Sequence, residues 1–229
     1  SLSSKTDCIS MIFFYIPILS TALVMMVFLI SKKSNIRFIS ENISTNSRKI
    51  HTHKIIRLGS LSFLSFLLIY IDLEENILRN FKFLSFIIFA LGFLEDLTGR
   101  LNNILRFIIL FLLVLFFITN QSYIINNFDN HYLNIIINYS FITSIIFALL
   151  GYLILINGFN FIDGLNGLML GFAIIILMHF LYYVNQSSSE IRVVIIFLIL
   201  SIFPLFIVNI TWGKILAGDG GSYFIGSII

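Results

Sequence analysis

The chain is divided into apolar runs whose lengths approach the thickness of a bilayer, with very few charges to interrupt them. A helix needs about 20 apolar residues to cross the hydrocarbon core. In lipid every backbone N–H and C=O must be bonded internally, so such runs have to be helical. They fall at 9–30, 58–71, 77–94, 101–118, 135–156, 168–184 and 191–210, and a further one opens at 223. The run at 58–71 is short and must lie in a thin region or extend into the interface. The fold expected is all-α: a polytopic transmembrane helix bundle of seven spans plus the start of an eighth, over a single integral-membrane domain, 1–229. With 59% hydrophobic and 11% charged residues, an ordinary soluble domain is excluded, since such domains are about a quarter charged. One cysteine and two prolines leave no disulfide framework and no Pro-rich linker.

Charge placement orients the bundle. Lys32 and Lys33 follow the first run rather than precede it, and no small-residue cleavage site comes after it. This is the pattern of a retained helix with its N-terminus outside, not of a signal peptide. Grouping alternate loops puts Lys32, Lys33, Arg37, Arg48, Lys49, Lys54, Arg57, Arg100, Arg106 and Lys214 on one side, against Lys5, Arg79, Lys82 and Arg192 on the other. The positive-inside rule makes the first side cytoplasmic. The same clustering accounts for the net charge of +3 without a nucleic-acid partner, because no basic patch with interleaved aromatics exists.

On the cytoplasmic side, Glu95, Asp96, Asp163 and Asp219 fall at helix ends in three separate loops. Glu95-Asp96 sits at the negative end of a helix dipole, where two adjacent carboxylates repel and a cation would relieve both penalties. Taken alone, a hydrated acid pair at the interface explains that segment about as well. Asn157-Gly158-Phe159-Asn160-Phe161-Ile162-Asp163-Gly164-Leu165-Asn166-Gly167 is too polar for a plain interhelical turn. Gly218-Asp219-Gly220-Gly221-Ser222 reads as a Gly-rich turn feeding a helix from Tyr223, with backbone N–H groups free to cradle phosphate. Together the three loops supply carboxylates, amide side chains and a phosphate cradle. Mg²⁺ takes oxygen ligands and commonly joins one or two carboxylates to substrate phosphates. The residues therefore point to metal-assisted phosphoryl transfer at the cytoplasmic membrane surface.

In order and spacing, these three segments resemble signature regions of the polyprenyl-phosphate N-acetylhexosamine-1-phosphate transferases (glycosyltransferase family 4). Arg48-Lys49-Ile50-His51 and Arg57-Leu58-Gly59 are similar to that family's first cytoplasmic loop. The resemblance implies Mg²⁺-dependent transfer of N-acetylhexosamine-1-phosphate from a UDP-N-acetylhexosamine to undecaprenyl phosphate, with UMP released and Mn²⁺ an admissible substitute. It also implies residence in the bacterial inner membrane with the site facing the cytoplasm, and a part in initiating O-antigen or another surface polysaccharide. A homodimer is admitted but not required. The pattern departs from the family in Glu95, where Asp is usual, and in Asn166, where a second Asp is common. The family's late His-rich loop and last helices would follow Ile229, so a C-terminally incomplete domain is expected. A lipid-phosphate glycosyltransferase releasing UDP, a transporter and a non-catalytic membrane protein are the competing readings. A transporter is disfavoured because the acids gather at helix ends rather than at the midplane.

Carried over residue by residue, the resemblance assigns the catalytic positions to Glu95, Asp96, Asp163 and Asp219. Asp219 would bind the metal with Glu95 contributing, Asp96 would orient or deprotonate the lipid phosphate, and Asp163 would support metal or nucleotide. Asn157, Asn160 and Asn166 would hydrogen-bond the donor, and Gly218, Gly220, Gly221 and Ser222 would form the cradle. Arg48, Lys49, Arg57 and Lys214 are candidates for neutralising phosphates, although for any one of them plain positive-inside topology is the stronger reading; His51 belongs with them by its place in the first-loop motif.

Overall fold

A computed structural model describes residues 15, 17–27, 29, 40–41, 55–67, 76–99, 102–120, 130–184 and 189–229. Its helices are α1 (Pro17–Val27), α2 (Asn76–Thr98), α3 (Asn103–Asn120), α4 (His131–Ile137), α5 (Phe141–Ile162), α6 (Leu168–Tyr183), α7 (Ser189–Trp212) and α8 (Gly218–Ile228). The remaining regular structure is slight. Strands β1 (Ser40–Glu41) and β2 (Ile55–Ile56) pair antiparallel, and a 3₁₀ turn covers Gly59–Phe63. The all-α expectation is met apart from that small pairing.

Among the described residues, three helices are long and apolar enough to cross a membrane: Asn103–Asn120, Phe141–Ile162 and Ile191–Trp212. The expected count of seven spans is not confirmed by the described residues, which leave parts of several of the apolar runs out. Helices α1 and α6 are apolar but shorter. Of the expected short second span, 58–71, the described part opens as a 3₁₀ turn with Gly59, Ser60, Ser62 and Phe63 buried and continues as helix at 64–67, while 68–71 lie outside the described residues. The run 135–156 is split: α4 ends at Ile137, and Ser140 restarts the chain as α5 with a reciprocal cap to Thr143.

The bundle is built around α8, which packs most extensively on α2 and α5 and then on the 3₁₀ turn. Every residue from Gly218 to Ser227 is buried. A helix buried on all sides needs close neighbours on all sides, and between helices in lipid that closeness comes from small residues. A Cβ on Gly92 of α2 would lie 2.5–2.6 Å from the Asp219 and Gly220 backbone, and one on Gly226 would lie 2.8 Å from Ile156 Cα. Below that narrow crossing, Phe224 fills the centre of the larger core. Its ring lies 6.0, 5.9 and 5.7 Å from those of Phe63, Phe66 and Phe89, the last two edge-on, as the aromatic quadrupole favours. A second core joins α2, α3 and α5 through Ile88, Leu110, Val114, Leu153 and Ile156 around Tyr223.

A second backbone connection sets the entry to α8. Ile56 N donates to Lys214 O and Leu216 N to Ile56 O, each at 2.9 Å, while Gly59 N and Ser60 N reach Leu216 O and Ala217 O at the same distance. Residues 56–60 thus run alongside 214–217 and fix where α8 begins.

The close α2–α8 and α5–α8 contacts carry a direct expectation. Gly92→Ala and Gly226→Ala each force a methyl group into backbone and should lower stability in detergent by about 1–3 kcal/mol. Gly151→Ala, where nothing lies within 4 Å of the added Cβ, should be neutral. Thermal midpoints of the three purified variants check this.

Candidate active site

The three polar segments meet at the N-terminus of α8. That terminus has a structural problem: its cap residue, Ala217, offers no side-chain acceptor, and the first-turn N–H groups are buried away from water. Buried unpaired N–H groups of this kind are costly. Two carboxylates from other helices solve it. Asp96, in the last turn of α2, accepts from Asp219 N through Oδ1 at 2.9 Å and from Gly220 N through Oδ2 at 2.8 Å. Asp163, which ends α5, accepts from Gly218 N at 2.8 Å and from the Ala217 backbone. Gly218 has φ +76, a left-handed conformation that suits glycine, and its position against the Asp96 carboxylate leaves no room for a side chain.

This corrects the expected phosphate cradle in two respects. The helix begins at Gly218 rather than Tyr223, so the glycines form its first turn. The N–H groups of Gly218, Asp219 and Gly220 are already engaged by Asp163 and Asp96. Likewise 157–162 is not loop but the end of α5, which continues past its apolar stretch to Ile162.

Asp219 is held differently. Its Oδ1 accepts from Asn160 Nδ2 at 2.7 Å, and its Oδ2 pairs with Arg106 Nη1. Asn160 Nδ2 also reaches Ser222 Oγ at 3.0 Å, and Ser222 Oγ donates to Gly218 O at 2.8 Å. Arg106 stands in the first turns of α3, donates from Nη2 to Asn103 Oδ1 at 3.2 Å, and lies 5.7 Å above the Tyr223 ring. By sequence alone Arg106 is a topology charge, and its link to Asp219 comes only from the tertiary fold. Asn209, also missed, is 2% exposed, accepts from Gly167 N and donates to Ile215 O at 2.6 Å. It ties the turn before α6 to the segment before α8.

The other expected residues divide. Glu95 is half-buried in the last turn of α2, within electrostatic reach of Tyr223. Arg57 is half-buried and its charge acts on Asp96. Gly221 packs beneath Phe63 and Ser60. Asn157 donates back to Leu153 O at 2.8 Å within its own helix. Asn166 is exposed and lies against Gly213, and Lys214 is exposed. Arg48, Lys49 and His51 lie outside the described residues.

Burial acts on both capping acids. It pushes the Asp96 carboxyl up to about 7, against the opposing effect of the Gly220 N–H and with a further push from the Asp219 charge. Asp163 is raised well above the usual carboxylate range, again by burial first. Among the described residues, no three His, Cys, Asp or Glu side chains form a metal cage. The oxygen donors of Asp219 and Glu95 are nevertheless of the type Mg²⁺ takes, since that ion needs only one or two carboxylates beside water and substrate phosphate.

The glycosyl transferase family 4 model matches residues 79–229, and so covers all three segments that meet here. The chain belongs to that family. The match starts after the first basic loop, leaving Arg48, Lys49, His51 and Arg57 outside it. No curated protein matches the chain. Family membership and the apolar helices together make this a membrane protein of a transferase family whose type is polyprenyl-phosphate sugar-phosphate transfer.

Two measurements probe the caps. Asp96→Ala strands two buried N–H groups and should cost about 2–5 kcal/mol of stability, whereas Asp96→Asn, which keeps one acceptor oxygen, should cost less. Because the folded-state pKa of Asp96 is raised, the folded protein binds the proton more tightly than the unfolded chain. Stability should therefore fall as pH rises from 3.8 towards about 7 and level off above. Asp96→Asn should flatten that slope in thermal scans without abolishing it, since Asp163 is raised in the same sense.

Proposed function

We propose that this protein transfers N-acetylhexosamine-1-phosphate from a UDP-N-acetylhexosamine to undecaprenyl phosphate, yielding the diphosphate-linked sugar and UMP. The reaction would take place at the cytoplasmic face of a bacterial inner membrane and initiate O-antigen or a related surface polysaccharide. The observation that carries this reading is the convergence of acids from the ends of three helices on one helix N-terminus, with the Asp219 side chain bonded to Asn160 and Arg106 rather than to backbone.

The acceptor phosphate has a second pKa near 6 and is mostly dianionic at neutral pH, so it is already a nucleophile. The difficulty is repulsion: at an effective ε of 20, each pair of unit charges 4 Å apart costs about 4 kcal/mol. Bound Mg²⁺ would neutralise diphosphate charge in the transition state. Asp219 would hold it, with Glu95 contributing. Asn160 fixes the rotamer of Asp219, and Asp96 and Asp163 fix the backbone that carries it, which is the kind of preorganisation that electrostatic catalysis requires. Asp96 would also orient the acceptor phosphate or take its last proton, a task that suits a carboxyl titrating near 7. Arg57 and Lys214, with Arg48, Lys49 and His51 from the first loop, supply candidate contacts to phosphate; Asn157 and Asn166 are candidate donor contacts.

Membranes carrying the protein, given undecaprenyl phosphate, Mg²⁺ and UDP-N-acetylglucosamine labelled on the β-phosphate, test the proposal. Label should enter the lipid extract with release of UMP, and EDTA should block both. Asp219→Asn should reduce turnover by about a hundredfold or more. Label left in water as UDP while sugar reaches the lipid would mean a conventional glycosyltransferase. No transfer from any UDP-N-acetyl sugar would mean a non-catalytic membrane protein.

A further inference from the structure

The two oxygens of Asp219 have different partners. Oδ1 faces a neutral carboxamide, Asn160, while Oδ2 faces a full positive charge, Arg106. A divalent cation drawn to Asp219 would enter the space where the guanidinium now sits, and the two cations repel strongly at that range. Asn160 carries no charge and has no such reason to leave.

The arginine is held lightly apart from its pairing with Asp219. It stands in the first turns of α3 at the helix end rather than in the packed middle, and its side chain is 17% exposed against 10% for Asp219. Its other contacts are light: one bond to Asn103 at 3.2 Å, within the same helix turn, and the face of Tyr223 at 5.7 Å. Neither ties it to the caps, since Asp96 and Asp163 are bonded to backbone N–H groups of α8. Removing Arg106 from Asp219 would thus leave the architecture of the helix N-terminus intact. A planar guanidinium released beside a bound diphosphate offers paired donors matched to phosphate oxygens.

We propose that Arg106 is an internal counter-ion for Asp219, displaced when a divalent cation binds and then transferred to the phosphates of the sugar nucleotide. The inference rests on the reading of Asp219 as the metal-binding acid. Before metal arrives, Arg106 pairs with Asp219; once metal is bound, the same charge becomes a phosphate contact. Metal and nucleotide should then bind with positive coupling, because the nucleotide gives the displaced arginine a new partner.

Mn²⁺ binding, read from the free-ion electron paramagnetic resonance signal, tests this on the detergent-solubilised protein at low salt. Arg106→Gln should bind Mn²⁺ about tenfold more tightly than the unaltered protein, or better, because a competing charge is gone. Unchanged or weaker binding in Arg106→Gln would overturn the proposal. Asp219→Asn separates the two levels. If it binds Mn²⁺ as well as the unaltered protein does, the metal assignment and the counter-ion fall together. If it loses binding while Arg106→Gln gains none, the counter-ion alone falls.

A second measurement needs no variant. Reaction of Arg106 with phenylglyoxal, followed by mass spectrometry, should speed up several-fold when Mn²⁺ is added and slow again when inorganic pyrophosphate follows. A rate indifferent to Mn²⁺ would mean that the Arg106–Asp219 pair is a fixed structural bridge, and would overturn the proposal.

Discussion

The arrangement depends on how a buried helix N-terminus finds hydrogen-bond acceptors. Helix α8 starts in the interior, where water is not available and its own cap residue is an alanine. Asp96 and Asp163 reach it from the ends of α2 and α5, and between them satisfy the backbone from Ala217 to Gly220. The positive end of the helix dipole and the negative carboxylates favour each other, yet burial opposes the ionised state of both acids. The raised titration of Asp96 and Asp163 is the visible sign of that competition.

The glycines make the geometry reachable. Carboxylates on α2 and α5 can bond the α8 backbone only if those helices come close, and Gly92, Gly220 and Gly226 permit it. Asp219 then inherits a fixed position from a backbone held by two other helices, while its side chain meets Arg106 and Asn160. The two roles of the acids, holding backbone and facing a cation, thus fall on different residues of the same cluster.

Much of this was legible in the sequence. Glu95-Asp96, Asp163 and Asp219 stood out because an ionisable group at the edge of an apolar helix needs a reason to be there, and their three segments do meet on one side. The extents of the helices were not legible. The segments 157–162 and 218–222 carry Gly and Asn that locally signal loops, and they are helical because tertiary packing and distant caps overrule that preference. Arg106 and Asn209 escaped notice for a related reason. Each acts across the fold, on Asp219 and on the segments flanking α6 and α8, and neither lies within a polar run. Within the run at 58–71, hydrophobicity alone does not show that Gly59–Phe63 is a buried 3₁₀ turn that packs against α8 before the chain continues as helix at 64–67.

The origin of the caps also bears on how the protein is made. Of the described helices, α8 is the last to leave the ribosome, and domains tend to assemble from the N-terminal end during synthesis. Until α8 arrives, Asp96 and Asp163 have none of the backbone partners that later bury them, and water or lipid headgroups must serve in their place. Docking of the glycine-rich helix expels those stand-ins and creates the site in the same event. A chain that stopped before Gly218 would leave the Asp96 and Asp163 carboxylates without the backbone N–H groups that engage them in the finished bundle.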